Sequence, residues 1–330
     1  MRLYPALTSL ALACALITAL TAALPTRTAQ AAGPLPQLTQ NQPGYHRFMV
    51  GKVEVIALSD GTIGLDTDLL QTVDRHGFDT ALKAAHLKSP LDTSVNAYLV
   101  KLAGRLILVD AGTGTLFGPS LNKLPASLRA AGVEPEQITD VLITHVHTDH
   151  TGGLMSGDRR VYPNATLHVD QRELGYWLDA ANELAAPAAK KSFFQQARAS
   201  LSPYVASGQV RTFDGAQQFF PGLRSMPAPG HTPGHTFYVL ENEGIKLVFW
   251  GDVMHAADVQ LSDPSVTIVY DVDPAAARAQ RLRAFADAAQ AGYLVAPAHM
   301  AFPGVGRLCL DGKHYRWQAL PYVNDARTVK

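Results

Sequence analysis

The sequence predicts an α/β fold in a single domain. Short apolar runs rich in β-branched residues alternate with longer stretches of helical character along the 330 residues. Several of the predicted strands end directly in Asp, His or Gly, where rigid scaffolds often present chemistry. No linker after the N-terminal region is long enough to separate a second domain, so one α/β domain is the economical architecture.

The first 32 residues resemble a secretory signal peptide. Arg2 precedes an apolar run rich in alanine and leucine, and the pattern Ala29-Gln30-Ala31 predicts cleavage near Ala31 or Ala32. The run approaches the length of a membrane span, so an uncleaved anchor is the alternative. Pro25 and the small residues favour cleavage. We therefore expect an exported protein, periplasmic or secreted, without stable membrane insertion, whose domain spans residues 33–330.

The predicted elements follow a flexible start at about Gly33 to Tyr45. The predicted strands are Val53–Leu58, Val95–Leu102, Arg105–Val109, Val141–Thr144, Thr166–Val169, Val210–Phe213, Thr236–Leu240, Lys246–Trp250 and Tyr293–Ala296. The predicted helices are Gly118–Ala131, Gln171–Leu184, Lys190–Leu201 and Pro274–Ala291. Pro203 should stop the third helix, whereas Asp273 and Gly292 are suited to begin and end the fourth.

Charge and cysteine content narrow the classes of partner. The chain has 28 basic and 28 acidic residues, without the basic surplus typical of nucleic-acid or membrane-surface binding. We therefore expect no nucleic-acid partner. Of the two cysteines, Cys14 lies in the signal segment, so Cys309 would be alone after cleavage. With no intrachain disulfide, stability must come from the core or from bound metal.

Metal-binding residue types are concentrated after one predicted strand. The stretch THVHTDHTGG contains His145, His147, Asp149 and His150. In an extended segment the first three side chains would share one side and His150 would point to another. A single tetrahedral zinc cannot readily accept four ligands from six consecutive residues, so the spacing favours two metals side by side. The alternative, a solvated polar turn, leaves this concentration of ligands unexplained.

Further ligand types occur near the ends of later strands. The turn Gly230–His235 precedes one predicted strand, Gly251-Asp252 follows another, and Ala298-His299 follows a third. Each has an ordinary structural interpretation when taken singly, such as a histidine that caps a turn. Taken together, they complete the ligand count of a two-metal site.

These motifs resemble those of the metallo-β-lactamase superfamily. More narrowly, the sequence resembles the family of methyl parathion hydrolase and its exported relatives, lactonases and organophosphorus hydrolases, over nearly the full mature chain. The segments that carry this narrower resemblance are Leu108–Asp110 with Gly112, Leu116–Pro119, Asp170-Gln171, Trp177-Leu178, Gly230–His235, Asp263–Thr267 and Phe285–Ala289. The resemblance implies a four-layer αβ/βα sandwich with two metals at one edge of its two sheets.

The resemblance also implies a ligand set. It gives the first metal three histidines, the second an aspartate and two histidines, and an aspartate that bridges them: His145, His147 and His231; Asp149, His150 and His299; and Asp252. His235 and Asp110 would support these ligands through hydrogen bonds. Zinc is the first choice for such ligands, although manganese, cobalt and iron are compatible with them.

Two such metals would activate a bridging hydroxide. Water shared between them has a pKa on the order of 7, so hydroxide is available at neutral pH. It would attack a carbonyl carbon or a phosphorus atom while one metal polarises the substrate oxygen. Asp149 and Asp252 are the candidates to pass a proton to the leaving group.

The resemblance places Phe117, Trp177 and Phe194 at the mouth of an apolar pocket suited to a small, uncharged, lipophilic ester or lactone. The alternative is that these aromatics belong to the core. His255 and Tyr270 stand where methyl parathion hydrolase has leucines, so we expect a narrower and more polar pocket. This difference favours lactone and aryl-ester hydrolysis, with phosphotriesters as side substrates. Organophosphate hydrolysis as the main activity is the alternative.

Other functions use similar metal loops. An aspartate between the metals, Asp252, argues against a β-lactamase. The signal segment and the absence of a basic patch disfavour thiolesterase action on glutathione conjugates and RNA processing. A non-catalytic metal-binding or adhesion protein would keep the ligands without turnover. The sequence leaves open whether the protein is a homodimer.

Overall fold

The computed structural model describes residues 42–72 and 74–323. The predicted signal segment, residues 1–32, and residues 33–41 of the predicted flexible start lie outside the described residues. The described residues belong to one compact unit. Among the residues that are described, no helix has both the length and the apolar character needed to cross a membrane.

Strands and helices alternate along the described chain, as the sequence predicts. The strands are β1 (Tyr45–Val50), β2 (Val53–Leu65), β3 (Leu70–Gln71), β4 (Leu91–Leu102), β5 (Arg105–Val109), β6 (Asp140–Leu142), β7 (Met155–Ser156), β8 (Arg159–Arg160), β9 (Thr166–Asp170), β10 (Val210–Phe213), β11 (Gln218–Phe220), β12 (Leu223–Pro227), β13 (Thr236–Asn242), β14 (Ile245–Gly251), β15 (Thr267–Ile268), β16 (Leu294–Pro297), β17 (Gly306–Asp311) and β18 (His314–Ala319). The helices are α1 (Arg75–Ala84), α2 (Leu124–Ala130), α3 (Thr148–Thr151), α4 (Gln171–Trp177), α5 (Ala180–Ala185), α6 (Lys191–Ala206), α7 (Ala257–Gln260) and α8 (Pro274–Ala291).

Two seven-stranded sheets form the centre of the fold. The first has the order β1-β2-β4-β5-β6-β9-β10, and the second has the order β11-β12-β13-β14-β16-β17-β18. In the first sheet, β1, β2, β4 and β5 pair antiparallel, whereas β5, β6, β9 and β10 pair parallel. In the second sheet, β14 and β16 pair parallel and their neighbours pair antiparallel. Mixed sheets of this kind are common in α/β proteins.

The two sheets pack face to face, and helices cover their outer faces. Alternation along β2 shows this directly, because Val55 lies in the core between the sheets while Ile56 lies in the core beneath the helices. Leu128 of α2 and Leu201 of α6 share the core that contains Ile56. Phe285 of α8 packs on the outer face of the second sheet. The predicted four-layer αβ/βα sandwich is confirmed.

Helix α8 has the bounds that the sequence predicts. The Asp273 side chain accepts the backbone N–H of Ala276, and Gly292 ends the helix in the left-handed conformation with a φ of 67°.

Helix α6 differs from the prediction, because it continues through Pro203 to Ala206. Proline removes one backbone donor. The buried side chains of Leu201 and Tyr204 hold the last turns against the core, and the Tyr204 hydroxyl donates to the carbonyl of Leu154 at 3.1 Å.

Two other predicted helices are shorter than expected. The segment predicted as Gly118–Ala131 is helical only in α2, because Gly118 and Asn122 have positive φ values of 84° and 61°. The segment predicted as Gln171–Leu184 is divided into α4 and α5, and Asp179 caps the second of these by accepting the N–H of Ala181.

Candidate metal centre

The candidate site lies where several strands end or begin at one edge of the sandwich. The loop with the HVHTDH motif follows β6, the turn Gly230–His235 precedes β13, and Asp252 and His299 follow β14 and β16. Two hydrogen bonds join the first two of these segments directly. The Thr236 N–H donates to the Thr144 carbonyl at 2.9 Å, and the Tyr238 hydroxyl donates to the Ile143 carbonyl at 2.8 Å. Ligand-bearing segments of the two sheets are therefore held side by side.

Three histidines converge in a first cluster. His147 Nδ1 lies 3.1 Å from His145 Nε2 and 3.0 Å from His231 Nε2, and all three side chains are buried. These nitrogens are close enough for one ion to contact all three. The set is the same as the one that the sequence assigns to the first metal.

A second cluster contains Asp149, His150, His299 and Asp252. Asp149 Oδ2 lies 3.5 Å from His150 Nε2 and 3.2 Å from His299 Nε2. The extended-segment argument placed Asp149 on the side of His145 and His147, and the structure corrects this. Residues 148–151 form the short helix α3, which turns Asp149 and His150 toward the same cluster.

Asp252 lies between the two clusters. Its Oδ1 is 3.1 Å from His150 Nε2, and its Oδ2 is 3.0 Å from His299 Nε2 and 3.5 Å from His231 Nε2. The carboxylate therefore faces both clusters, as expected of a bridging ligand.

The donor set fits divalent metal ions. His150 Nε2 and Asp252 Oδ1 are buried, yet neither has a hydrogen-bond partner among the described residues. Buried polar atoms of native proteins are nearly always bonded, and an ion would supply the missing partner for both. Imidazole with carboxylate is also a typical ligand combination for zinc and its neighbours in the first transition row.

In three of the histidines, the ring nitrogen that faces away from the clusters donates a hydrogen bond. His150 Nδ1 donates to Asp110 Oδ2 at 2.8 Å, and His299 Nδ1 donates to the carbonyl of Ser94 at 3.0 Å. His231 Nδ1 donates to Asp271 Oδ1 at 2.7 Å. A proton on each Nδ1 leaves the Nε2 lone pair directed at the cluster. Asp110, for which the resemblance implies a supporting role, is therefore in contact with His150.

His235 supports the site through the backbone. Its Nε2 accepts the N–H of Asp252 at 3.0 Å, and its Nδ1 lies 3.2 Å from the carbonyl of Ala228. It belongs to neither ligand cluster.

Two buried carboxylates beside the site were not identified from the sequence. Asp271 holds His231 as described above. Glu173 of α4 accepts the N–H groups of Val146 at 2.8 Å and Gly234 at 2.6 Å. No motif spacing marks either residue, since each acts through contacts that only the folded chain creates. The single signal was the position of Asp271 beside Tyr270, a predicted pocket residue.

The charge state differs between the two clusters. Burial lowers the pKa values of His145 and His147 well below the usual range, and the neighbouring histidines add to this effect. Burial acts in the same direction on His299, but Asp252 and Asp149 outweigh it and raise the His299 pKa to about 10. Asp252, Asp149 and Asp110 likewise raise the pKa of His150 well above its usual value. His145 and His147 thus favour the neutral imidazole, and the second cluster attracts positive charge.

A cavity of about 190 Å³ opens onto both clusters. Phe117, His255 and Tyr270 line it, as the sequence predicts, together with Phe193, which the sequence did not single out. Most of the remaining wall is aliphatic: Ile63, Leu65, Leu69, Val95 and Leu121. The cavity is therefore apolar apart from the ligands, His255, the tyrosine hydroxyl and a few small polar groups.

Trp177 and Phe194 differ from their predicted position at the pocket mouth. They are 3% and 1% exposed and belong to the core beneath the helices, where the Trp177 indole N–H donates to Glu173 Oε2 at 3.0 Å. They line a second cavity of about 350 Å³, which also reaches His147. Phe193 and Tyr270 line both cavities and form part of the wall between them.

Comparison with known proteins identifies the family of this architecture. The sequence model of the metallo-β-lactamase superfamily matches residues 91–304. The structure is similar to that of AbOPH, a hydrolase of the β-lactamase superfamily, with a TM-score of 0.82, 32% identity and coverage of 86% of this chain and 100% of that one. It is also similar to AidC, a dizinc quorum-quenching lactonase solved with a product, with a TM-score of 0.78, 25% identity and coverage of 85% and 99%.

Curated relatives match a smaller part of the chain. An N-acyl homoserine lactonase of Bacillus sp. is 26% identical over 172 residues, which cover 46% of this chain and 60% of the lactonase. Other relatives are a ribonuclease and atrochrysone carboxyl ACP thioesterases, of whose length the alignments cover 38–39%. Their activities differ widely, so the shared part indicates the hydrolytic metal scaffold more than a substrate.

Proposed function

The chain belongs to the metallo-β-lactamase superfamily and is a metal-dependent hydrolase, and from this premise we propose that it opens small, uncharged, lipophilic lactones at a dizinc centre. Aryl esters are related substrates in this proposal, and phosphotriesters are side substrates. The observation that carries the proposal is the pocket. Its wall is largely apolar, and His255 and Tyr270 line it together with members of both ligand clusters. The similarity to AidC, described as a dizinc lactonase, supports the same substrate class.

The pocket is suited to holding a compact ring. At about 190 Å³ it has room for a small lactone, and its aliphatic lining favours an uncharged one. Tyr270 is half-buried, its ring packs edge-on against Phe193 with centroids 6.0 Å apart, and its hydroxyl bonds to none of the described residues. This hydroxyl is available to donate a hydrogen bond to the substrate carbonyl, where negative charge develops during attack.

Proton transfer falls to the carboxylates of the site. Metal ions, when bound, would supply an activated water and polarise the carbonyl. Asp149 is the more exposed of the two candidate carboxylates, at 24% against 3% for Asp252, and it lines the pocket. Burial opposes its ionisation, but His150 and His299 outweigh burial and hold the Asp149 pKa well below the usual value. Asp149 is therefore ionised, and its place on the cavity wall makes it the proposed group that accepts the proton released by the attacking hydroxyl group and passes it to the leaving alkoxide.

The proposal is tested by steady-state hydrolysis with the purified, zinc-loaded protein. The substrates are an aliphatic lactone, an acyl-homoserine lactone, an aryl acetate, paraoxon-type and parathion-type triesters and a cephalosporin. We expect kcat/KM for a lactone or aryl ester to exceed that for every triester. Higher values for the triesters would make organophosphate hydrolysis the main activity, and a preference for the cephalosporin would contradict both proposals.

The substitution Tyr270→Phe tests the role of the hydroxyl. Loss of one hydrogen bond to the developing charge should lower kcat/KM for lactones about tenfold. The metal content should equal that of the unmodified protein, because Tyr270 belongs to neither ligand cluster. Unchanged lactone turnover would remove the hydroxyl from the mechanism.

Export to the periplasm or the medium is the remaining part of the proposal. It rests on the apolar run and the small-residue pattern at residues 29–31. The intact mass of the protein recovered outside the cytoplasm should correspond to a chain that begins near residue 32. Recovery of the full-length chain in the cytoplasm would contradict it.

A further inference from the structure

A third group of ligand atoms lies beside the two clusters and shares members with both. It consists of His231, Asp252 and His255, whose ligand atoms all lie within 4.8 Å of one another. All three side chains are buried. The two-metal assignment uses His231 and Asp252 but leaves His255 without a role at the metals.

Among the described residues, the His255 imidazole has one close polar neighbour, the Asp252 carboxylate, and makes no hydrogen bond of good geometry. Its side chain is 5% exposed, and neither ring nitrogen has a hydrogen-bond partner among the described residues. Its Nε2 lies 3.2 Å from Asp252 Oδ2. The backbone is held in place, because the N–H groups of His255 and Ala256 both donate to the buried Gln260 side chain. A fixed, buried and unbonded imidazole indicates that something else binds it.

An ion in this third group cannot coexist with an ion on His145 and His147. His231 Nδ1 is engaged by Asp271, so only its Nε2 is available to a metal. That nitrogen lies 3.0 Å from His147 Nδ1 and 3.5 Å from Asp252 Oδ2, so the first cluster and the third group share it. The third group is therefore an alternative position for the ion that His231 holds.

The alternative position is the more accessible of the two. All three members of the third group line the cavity. Of the first cluster, His147 and His231 line it, but His145 is fully buried and does not. Asp149 also lines the cavity and adds negative charge that attracts a cation. An ion that enters through the cavity meets the third group on its way to His145.

We propose that His231, Asp252 and His255 form a capture position, from which one divalent metal ion passes to His145 and His147. The proposal rests on the metal centre but is independent of the lactone substrate. In the proposed order of events, the incoming ion first binds the imidazole of His255. It then exchanges His255 for the two histidines of the HVH motif, while His231 and the bridging Asp252 stay bound throughout.

The test is rapid mixing of the metal-free protein with cobalt(II), followed by the visible absorption of the bound ion. The unmodified protein should show a fast phase whose rate rises with cobalt concentration, and then a phase independent of concentration that reports the transfer. His255→Leu should lose the fast phase and fill more slowly, yet reach the same final metal content. His255→Asn, which keeps a polar side chain, should behave like His255→Leu, and circular dichroism verifies that both variants fold.

Tyr270→Phe is the matched control, because it changes the same cavity wall without removing a metal-binding nitrogen. It should keep both phases. Unaltered phases in His255→Leu, or a single phase in the unmodified protein, would overturn the proposal. A lower final metal content in His255→Leu would overturn it too, since His255 would then be a permanent ligand. No substrate is used, so failure here is distinguishable from failure of the proposed lactonase activity.

Discussion

Single residues around the candidate metal centre act on the histidine ligands by bonding the ring nitrogen that faces away from the clusters. Asp110, Asp271 and the Ser94 carbonyl each accept an Nδ1 proton and so fix one imidazole ring. Asp271 is fully engaged, since its Oδ2 also accepts the backbone N–H of Ile268. It therefore links His231 to the segment that carries Tyr270 into the pocket.

The substitution Asp271→Asn should weaken metal binding. An amide in this place is a poorer acceptor for His231 Nδ1, and loss of such an outer contact typically costs about 10- to 100-fold in metal affinity. Competition with a chromophoric chelator measures the affinity directly. Asp258→Asn, which changes an exposed aspartate of α7, is the matched control and should bind metal normally. Equal affinities for both variants would show that Asp271 does not orient the ligand.

Individual elements explain which site residues could be predicted from the sequence. The HVHTDH ligands were identifiable because their spacing is local and follows an apolar strand. Phe193 was missed in favour of its neighbour Phe194, although successive helical residues point about 100° apart. Phe194 shares the core-facing side of α6 with Ala197, Leu201 and Tyr204, at spacings of three and four residues. The helical period alone therefore assigns Phe194 to the core and leaves Phe193 for the cavity.

Helix α4 joins two ligand-bearing turns through one carboxylate. Glu173 Oε2 accepts the N–H of Val146, which lies between two predicted ligands, and Oε1 accepts the N–H of Gly234. A side chain at Gly234 is excluded, because an added Cβ would lie 2.9 Å from the Glu173 nitrogen and 3.0 Å from its Cγ. The close packing of α4 on the turn thus requires glycine there.

The substitution Glu173→Gln should loosen both turns at once. The amide nitrogen would face a backbone N–H in place of an acceptor, and such a buried unsatisfied group costs about 1–3 kcal/mol. We expect a lower thermal unfolding temperature and weaker metal binding in the same variant. Glu183→Gln on α5 removes only a partly exposed ion pair with Arg198, so it should leave metal binding unchanged and lower the unfolding temperature much less. A drop in stability with unchanged metal affinity would limit Glu173 to a structural role.

At the scale of the whole molecule, the sandwich could be predicted where burial is complete. Strands such as β5 and β14 are continuous apolar runs in the sequence because both their faces are covered. Strands β17 and β18 were missed, since β18 is the edge strand of the second sheet, β17 lies next to it, and both expose much of their length. β11 is short and lies at the other edge. Edge strands need no apolar run, so their sequences resemble loops.

The opposite charge states of the two clusters predict staged, pH-dependent metal uptake. In the metal-free protein at pH 7, His145 and His147 are neutral, so an ion can bind these two imidazoles without displacing a proton. His150 and His299 carry protons there, and the His299 pKa is raised to about 10. A metal entering the second cluster must displace those protons. Its apparent affinity should therefore rise about tenfold per pH unit for each proton released, until the pH passes the raised pKa values.

Zinc titrations of the metal-free protein at pH 6, 7 and 8 check this prediction. Calorimetry gives the two affinities, and a weakly buffered solution with a pH indicator counts the protons released by each equivalent. The first equivalent should release fewer protons and depend less on pH than the second. Equal proton release for both equivalents would mean that Asp110, Asp149 and Asp252 do not give the second cluster a different protonation state from the first. In that case Asp252 would act on both ions alike, and the difference in their environments would have no effect on loading.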